Sequence, residues 1–305
     1  MRFALQVSGD YDHVREAAQY AERAGLAALA LPDHYLMALN EEEAKTTPAN
    51  DAFVQLGGLA TATATLELVV LVSPITFRHP AVLLKMGITL DQMSSGRFSL
   101  GLGTGWMDRE HEVFGFDYPE TGERFARLEE ALAYVSAGIA SDHPGFAGDR
   151  YTLRPFPIAP QASPGFRLVV GGTGPHTTPR LAGTYAHEFN VYPGPGLEKR
   201  IARARNAARD AGRDPDELLI SSAGQVHGAD TATDLDEILD ELAAEAGMTR
   251  ADLDEAHARR NSPVGTWDQL AERFAVWEKV GVERFYLQRG WDPEETPQLL
   301  GRLGA

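Results

Sequence analysis

Short apolar segments alternate with longer amphipathic segments from one end of the chain to the other. A short apolar run bounded by turn residues is typical of a buried strand, and apolar residues spaced three and four apart indicate a helix. Strands that alternate with helices favour a parallel sheet with helices packed on it. The predicted strands span residues 3–7, 27–31, 66–73, 97–102, 167–170, 188–192, 218–223 and 284–288.

The segment 66–106 shows this alternation most clearly. Its first strand, LELVVLVS, is continuously apolar, as expected for a parallel strand covered on both faces. Pro80 stands at a natural helix start, and the predicted helix 81–93 ends near Gly96. Other helices are predicted over 11–24, 52–64, 125–140, 176–183 and 266–279, with two short surface helices in the acidic segment 230–254 and an irregular excursion over 141–166.

Eight strand signals in this order predict a closed (β/α)8 TIM barrel. A chain of 305 residues with 43% hydrophobic content can bury a large core, so we expect one domain over residues 1–305. An open, doubly wound sheet is the alternative, because periodicity alone does not show closure.

The composition excludes several classes of function. A net charge of −16 argues against nucleic acid or an anionic membrane surface as a partner, since either favours a basic patch. The absence of cysteine excludes disulfides, thiolate metal sites and cysteine nucleophiles. No apolar run approaches the roughly 18 residues of a membrane span, and we expect a cytoplasmic protein with no membrane partner.

Candidate chemistry follows the predicted strands at their carboxyl ends, where a barrel keeps its active site. Asp33 and His34 come directly after the second strand. A histidine there can exchange protons near neutral pH, and a neighbouring carboxylate can orient or charge it. The alternative is a solvated or backbone-bonded loop histidine. The histidines are dispersed, without ligand spacing, so we expect no metal.

Two glycine-rich loops follow later strands. Gly103, Thr104 and Gly105 can lie against a planar ring, and Trp106 is expected to form a wall of the pocket. The run Gly171–Pro175 (GGTGP) lies between a strand and a helix, where free backbone N–H groups suit a phosphate. It lacks the third glycine of the dinucleotide fingerprint, and an ordinary tight turn is the alternative.

The substrate pocket is predicted from residues at the same end of the barrel. Gln6 and Gln288 end the first and last strands, which are neighbours in a closed barrel. Two amides there suggest substrate recognition, although a pair that only satisfies each other is equally compatible with the pattern. With Tyr35, Trp106 and Tyr192, these amides make a mixed apolar and polar lining that suits a small molecule.

The chain resembles the bacterial luciferase-like family, (β/α)8 oxidoreductases that use a flavin or a deazaflavin. The segments that carry the resemblance are PDHY (32–35), LVVLVSPITFRHPAVLLKMGITLDQMSSGRFSLGLGTGW (68–106), GERFARLEEAL (122–132), GGTGP (171–175) and VGTWDQLAERF (264–274). Within the family the chain is most similar to the branch that uses coenzyme F420, a deazaflavin that carries hydride.

The resemblance implies roles for particular residues. Asp33 and His34 match an Asp-His pair beside the cofactor ring, with His34 as the proton donor or acceptor. A non-proline cis peptide backing the ring is expected between Val70 and Leu71. Thr104 and Gly105 match the loop that contacts the ring. The match to the phosphate-binding loop covers Gly172, Thr173, Gly174 and Pro175.

The sequence also departs from that branch. Its sugar-phosphate dehydrogenases have a glutamate where this chain has Trp106, and they hold the substrate phosphate with lysines, which are scarce here. The favoured function is hydride transfer between F420 and a small organic substrate, as reduction of an activated C=C or C=N bond. The alternatives are an FMN-dependent monooxygenase supplied by a separate reductase, and a non-catalytic binding protein. The resemblance also implies a homodimer.

Overall fold

The strands form a closed barrel of eight parallel members in chain order, which confirms the predicted TIM barrel and overturns the open-sheet alternative. The computed structural model describes residues 1–38 and 41–304. The strands of these residues are β1 (Arg2–Gln6), β2 (Ala28–Leu31), β3 (Glu67–Pro74), β4 (Phe98–Gly103), β5 (Phe146–Ala147), β6 (Thr152–Leu153), β7 (Arg167–Gly171), β8 (Glu188–Asn190), β9 (Leu219–Gly224), β10 (His227–Ala229), β11 (Val264–Thr266) and β12 (Arg284–Gln288). The barrel closes where β1 pairs with β12; the pairs β5–β6 and β10–β11 lie outside it.

Helices follow the barrel strands and cover the outside of the sheet. They are α1 (Tyr11–Arg23), α2 (Glu41–Ala44), α3 (Ala52–Ala62), α4 (Pro80–Met93), α5 (Asp108–Phe114), α6 (Thr121–Ile139), α7 (Thr177–Tyr185), α8 (Leu197–Asp210), α9 (Ala232–Glu245), α10 (Arg250–Arg260), α11 (Trp267–Lys279) and α12 (Glu295–Leu303). Of the two surface helices predicted in the acidic segment 230–254, α9 lies within the segment, and α10 begins in it and continues to Arg260. The segment 141–166 is irregular as predicted, apart from β5 and β6. The sequence analysis did not predict α2, α5, α8 or α12.

The barrel has two apolar layers. Large aliphatic and aromatic side chains fill the space between strands and helices. The inside of the barrel is filled mainly by small side chains and one tyrosine, namely Ala4, Ala28, Ala30, Val69, Leu71, Val169, Ala223 and Tyr286. Strands buried on both faces explain why apolar runs such as 66–73 are continuous.

β3 contains a bulge near its carboxyl end. Val70 pairs with Leu100 in regular register, but the next pair joins Ser73 to Leu102, so two residues oppose one. Leu71 and Val72 therefore both pack against the inner cluster. The non-proline cis peptide joins Leu71 to Val72. The expected position between Val70 and Leu71 is wrong by one residue, because the strand pairing is still regular at Val70.

Glycines on the neighbouring strands make room for this bulge. A Cβ at Gly103 would lie 2.7 Å from a methyl of Val72, and one at Gly171 would lie 2.9 Å from the other. A Cβ at Gly101 would lie 2.0 Å from the Val70 carbonyl oxygen. Separations this short do not occur between non-bonded atoms, so packing next to β3 requires glycine at Gly101, Gly103 and Gly171.

A buried ion cluster lies at the opposite, amino-terminal end of the barrel. Arg284 donates to Glu188 at 3.0 Å, to Glu67 at 2.7 Å and to the Tyr286 hydroxyl at 2.9 Å. Burial raises the pKa of the Glu188 carboxyl, and the Arg284 guanidinium opposes that shift. The cluster joins the starts of β3, β8 and β12 across the barrel.

Replacing Arg284 with Met should lower the free energy of unfolding by about 3–5 kcal/mol, because two carboxylates lose their compensating charge. The loss should be smaller at pH 5 than at pH 8. Without the guanidinium the pKa of Glu188 in the folded protein rises further above its unfolded value, so the folded protein gains from taking up a proton as the pH falls. Urea unfolding at both pH values measures this.

The exposed Arg302, which pairs with Asp230 at 2.9 Å, provides the matched control. Arg302→Met should cost less than about 1 kcal/mol. Equal losses for the two variants would mean that the buried cluster contributes no more than a surface ion pair.

None of the helices within residues 1–38 and 41–304 combines the length and the hydrophobicity that a membrane span needs.

Candidate active site

His34 lies at the carboxyl end of β2 and is held by Glu110 of α5. Its Nδ1 lies 2.9 Å from Glu110 Oε1, and Glu110 is buried. The other carboxylate oxygen accepts from the backbone N–H groups of Tyr35 at 3.0 Å and Leu36 at 3.3 Å. Because a carboxylate only accepts, the proton of this bond sits on Nδ1. The ring atom left to exchange protons is Nε2.

Trp106 lies against the same histidine. Its ring meets the His34 ring edge to face, with centroids 5.7 Å apart, and the tryptophan is 69% exposed. The loops after β2 and β4 are thus in contact at the barrel mouth. Such an exposed aromatic next to a proton-exchanging ring is available to contact a ligand.

Asp33 does not have the orienting role that its position beside His34 suggested. It is fully buried, accepts from Ser73 Oγ at 2.6 Å, and forms an ion pair with Arg78. Burial raises the pKa of the Asp33 carboxyl, and the Arg78 guanidinium opposes this. The residue therefore ties the end of β2 to the end of β3, and the carboxylate bonded to His34 is Glu110.

Tyr35 belongs to a neighbouring aromatic and ionic cluster. Its ring stacks on Phe77 with centroids 5.0 Å apart. Its hydroxyl donates to Asp51 at 3.1 Å and accepts from Arg78. Burial raises the pKa of the Tyr35 hydroxyl to about 12. Both the ring and the hydroxyl thus make contacts within the protein.

Arg124 of α6 holds the loop after β4 in place. This buried guanidinium donates to the Gly105 carbonyl and lies over the Tyr118 ring at 4.1 Å. Gly105 has a φ of +76°, and a Cβ there would lie 3.2 Å from Pro74. The backbone of Thr104 and Gly105 is therefore held at the mouth in a conformation that favours glycine.

The GGTGP loop joins β7 to the start of α7. A Cβ at Gly174 would lie 2.7 Å from the Thr178 hydroxyl, and Gly172 has a φ of +151°. No side chain caps the first turn of α7. The free N–H groups of that turn and the helix dipole favour an anion.

Arg200 of α8 adds a buried positive charge beside this loop. It donates to the carbonyls of Thr173 at 3.4 Å, Tyr192 at 2.9 Å and Gly194 at 3.1 Å, while its Nε is buried without a partner. Burial lowers the pKa of the guanidinium. A buried cation bonded to carbonyl oxygens would be stabilised by an anion at the loop.

Gln6, Gln288 and Tyr192 form one hydrogen-bonded chain at the mouth. Gln288 Nε2 lies 2.8 Å from Gln6 Oε1 and 3.0 Å from the Tyr192 hydroxyl. Gln6 Nε2 donates to the Leu71 carbonyl of the β3 bulge at 2.7 Å. The two amides thus satisfy each other, and the chain also reaches the bulge and a half-buried phenol.

Sequence reasoning missed Glu110, Arg124 and Arg200. Glu110 is 76 residues from His34 along the chain, so no local motif joins them. A weak signal existed, because Met107, Glu110, His111 and Phe114 have the spacing of one helix face, and Met107, Glu110 and His111 are buried. A carboxylate at a core-facing position indicates a specific partner.

Comparison with known proteins identifies the family. Residues 2–284 match the model of the family described as luciferase-like monooxygenase, and the chain belongs to this family. It is 28% identical over 311 residues to an F420-dependent glucose-6-phosphate dehydrogenase of Microbacterium testaceum, covering 99% of this chain and 80% of the relative. It is also 28% identical over 174 residues to the pyrimidine monooxygenase RutA of Escherichia coli, covering 54% of this chain and 43% of the relative.

Among solved structures, an F420-dependent secondary alcohol dehydrogenase in complex with an F420-acetone adduct has the same fold. Its TM-score is 0.78 at 20% identity, covering 99% of this chain and 96% of that one. The chain is therefore an enzyme of the luciferase-like family, which sets aside the non-catalytic alternative.

Glu110→Gln should change the tautomer of His34. The amide oxygen is expected to stay with the N–H groups of Tyr35 and Leu36, so the amide nitrogen would face Nδ1 and donate to it. The neutral ring would then carry its proton on Nε2. Nitrogen-15 NMR of histidine-labelled protein at alkaline pH distinguishes the two tautomers.

Glu112→Gln, at an exposed position of the same helix, is the control and should leave the His34 signals unchanged. Identical His34 signals in the wild type and the Glu110 variant would show that the carboxylate does not set the tautomer.

Proposed function

We propose that this enzyme transfers a hydride between coenzyme F420 and a small organic substrate, favouring reduction of an activated C=C or C=N bond. The observation that carries this proposal is the His34 site. A histidine with one nitrogen fixed by Glu110 and the other left to exchange a proton lies beside a glycine-lined barrel mouth. The relatives named F420-dependent dehydrogenases, which match nearly the whole chain, support the choice of cofactor.

The residues at the mouth fit a phosphorylated tricyclic cofactor. The backbone of Thr104 and Gly105, together with the β3 bulge at Leu71, would hold the ring. The GGTGP loop would hold the phosphate through N–H groups that a Cβ at Gly172 or Gly174 would disturb. Arg200 would supply the positive charge behind that loop.

When bound, the deazaflavin supplies or accepts the hydride at C5. His34 supplies the matching proton through Nε2, or removes one from an alcohol in the reverse direction. Glu110 keeps that nitrogen directed away from the protein backbone and stabilises the ring when it is charged. Trp106 would limit the access of water to the same position. Most of the rate gain would come from orientation of the reactants.

An FMN-dependent monooxygenase is the second candidate. The family description and the match to a pyrimidine monooxygenase favour it. The same phosphate loop could hold FMN, and a separate reductase would then supply the reduced cofactor.

Cofactor binding tests the proposal directly. Fluorescence quenching titrations should give a micromolar Kd for F420 and much weaker binding of FMN.

Gly172→Val should weaken the binding of F420 much more than the binding of its dephosphorylated riboflavin-like core, because the backbone can no longer approach the phosphate. Gly122→Val is the matched control, at a glycine with no atoms near its missing Cβ. Tight binding of FMN without F420 would reverse the order of the two candidates, and equal weakening of both ligands would assign the loop a purely architectural role.

His34→Ala should reduce turnover by about 100-fold or more, a typical contribution of proton transfer, and change the cofactor Kd by less than about tenfold. Steady-state rates with reduced F420, beside the titration above, separate the two effects. His79→Ala, at an exposed histidine that caps α4, is the control and should retain turnover. Undiminished turnover in the His34 variant would remove the residue from the mechanism.

A further inference from the structure

The hydrogen-bonded chain from the β3 bulge to Tyr192 has a fixed direction. It begins at the Leu71 carbonyl oxygen, which can only accept. The amide atom of Gln6 that faces this oxygen at 2.7 Å must therefore be the nitrogen, and Gln6 Oε1 points the other way. Because that oxygen also only accepts, the atom of Gln288 that faces it at 2.8 Å is again a nitrogen.

The direction of these hydrogen bonds determines whether the Tyr192 hydroxyl accepts from Gln288 or donates to it. Gln288 Nε2 donates to this hydroxyl at 3.0 Å, which uses one acceptor position on the phenol oxygen. Within residues 1–38 and 41–304, the acceptor found for the phenol's own proton is Gln288 Oε1 at 3.4 Å, at the outer limit of a hydrogen bond. The proton is therefore held only weakly by the protein and can be donated to a ligand. The half-buried tyrosine lies at the barrel mouth, just beyond the end of β8.

We propose that Tyr192 is a catalytic hydrogen-bond donor to a carbonyl oxygen of the substrate, and that Gln6 and Gln288 are positioning residues that set its direction. This inference rests on the proposed hydride transfer and specifies its substrate. The activated double bond is one conjugated to a carbonyl group, as in an enone or an enal.

The reaction balances with two groups of this chain. The β-carbon of the enone accepts the hydride from the reduced deazaflavin, which is thereby oxidised by two electrons. The C=C π pair forms the enolate double bond, and the C=O π pair moves to the oxygen, where the Tyr192 O–H stabilises it. His34 gives its proton to the α-carbon, the C=O bond reforms, and the product is the saturated carbonyl compound.

The two groups have different tasks. Tyr192 faces the charge that develops on oxygen, a form of stabilisation that is large in a site from which water is excluded. His34 delivers a proton to carbon. Reduction of an imine needs one proton, on the nitrogen of the bond that is reduced, and a single donor would supply it. Reduction of an enone needs a donor at the oxygen and a proton at the α-carbon, so the presence of two groups favours the carbonyl class.

Binding of a carbonyl probe tests the donor without turnover. The probe is cyclohex-2-enone labelled with carbon-13 at the carbonyl, added to the protein with oxidised F420, and the readout is its C=O stretching band in the infrared. In the wild type this band should lie at lower frequency than in water-free solvent. In Tyr192→Phe it should return towards the solvent value, and kcat/KM with reduced F420 should fall about 10- to 100-fold.

Gln288→Glu reverses the direction of the hydrogen bond between residue 288 and the Tyr192 hydroxyl and keeps the shape of the side chain. A carboxylate would accept the phenol proton, so the enone band should move as in Tyr192→Phe although the hydroxyl is still present. Tyr20→Phe, on α1, is the control with neither effect, and melting temperatures show which variants fold. Where the Gln288 variant does not fold, Tyr192→Phe carries the test, because it removes one oxygen and keeps the ring.

The outcomes separate the two proposals. A band that is the same in the wild type and Tyr192→Phe overturns the donor role, and no binding of the enone at millimolar concentration overturns the carbonyl class. A tyrosine-dependent band in protein that does not bind F420 would instead refute the proposed cofactor and leave the donor role supported.

Discussion

The bulge near the end of β3 is the feature on which the rest of the site depends. It places Leu71 and Val72 inward together, next to the inner apolar cluster. The Leu71 carbonyl accepts from Gln6 of β1. Val72 fills the space that Gly103 of β4 and Gly171 of β7 leave open. Ser73, directly after the bulge, donates to Asp33 beyond β2. One irregularity in a ladder thereby sets the positions of the loops that follow four other strands.

This dependence explains which parts of the molecule the sequence predicts. The barrel strands and most of the long helices follow from periodic burial, which each segment carries in its own residues, whereas closure of the barrel was inferred from the number and order of the strands. The GGTGP loop was also recognisable, because its glycines are contiguous in sequence. The partner of His34 was not, since Glu110 comes from a helix after β4 and the contact depends on how the segments after β2 and β4 meet across β3. Asp33 illustrates the same limit, because its neighbour in sequence is His34 but its partners in space are Ser73 and Arg78.

The buried arginines at the two ends of the barrel have different kinds of partner. At the amino-terminal end, Arg284 contacts Glu67, Glu188 and Tyr286, so two carboxylates face its positive charge. At the carboxyl end, Arg200 is buried next to the GGTGP loop and bonds only to carbonyl oxygens in the contacts that the structure describes. A compensated buried ion cluster adds little net stability, although removal of one partner is costly. A cation paired with neutral dipoles retains most of its attraction for an anion, which suits a binding site.

His34 and Tyr192 have hydrogen-bonding directions that are set by groups that do not themselves react. Each is fixed by an obligate acceptor, the Glu110 carboxylate in one case and the Leu71 carbonyl, through two amides, in the other. An acceptor that cannot donate removes the ambiguity that a neutral imidazole or an amide would otherwise have, because only one arrangement of protons satisfies every bond. The sequence left two roles open for Gln6 and Gln288, namely recognition of the substrate and a hydrogen bond only to each other. The same argument decides between them. The two amides do satisfy each other, and by doing so they transmit the direction of a backbone carbonyl to a phenol at the barrel mouth.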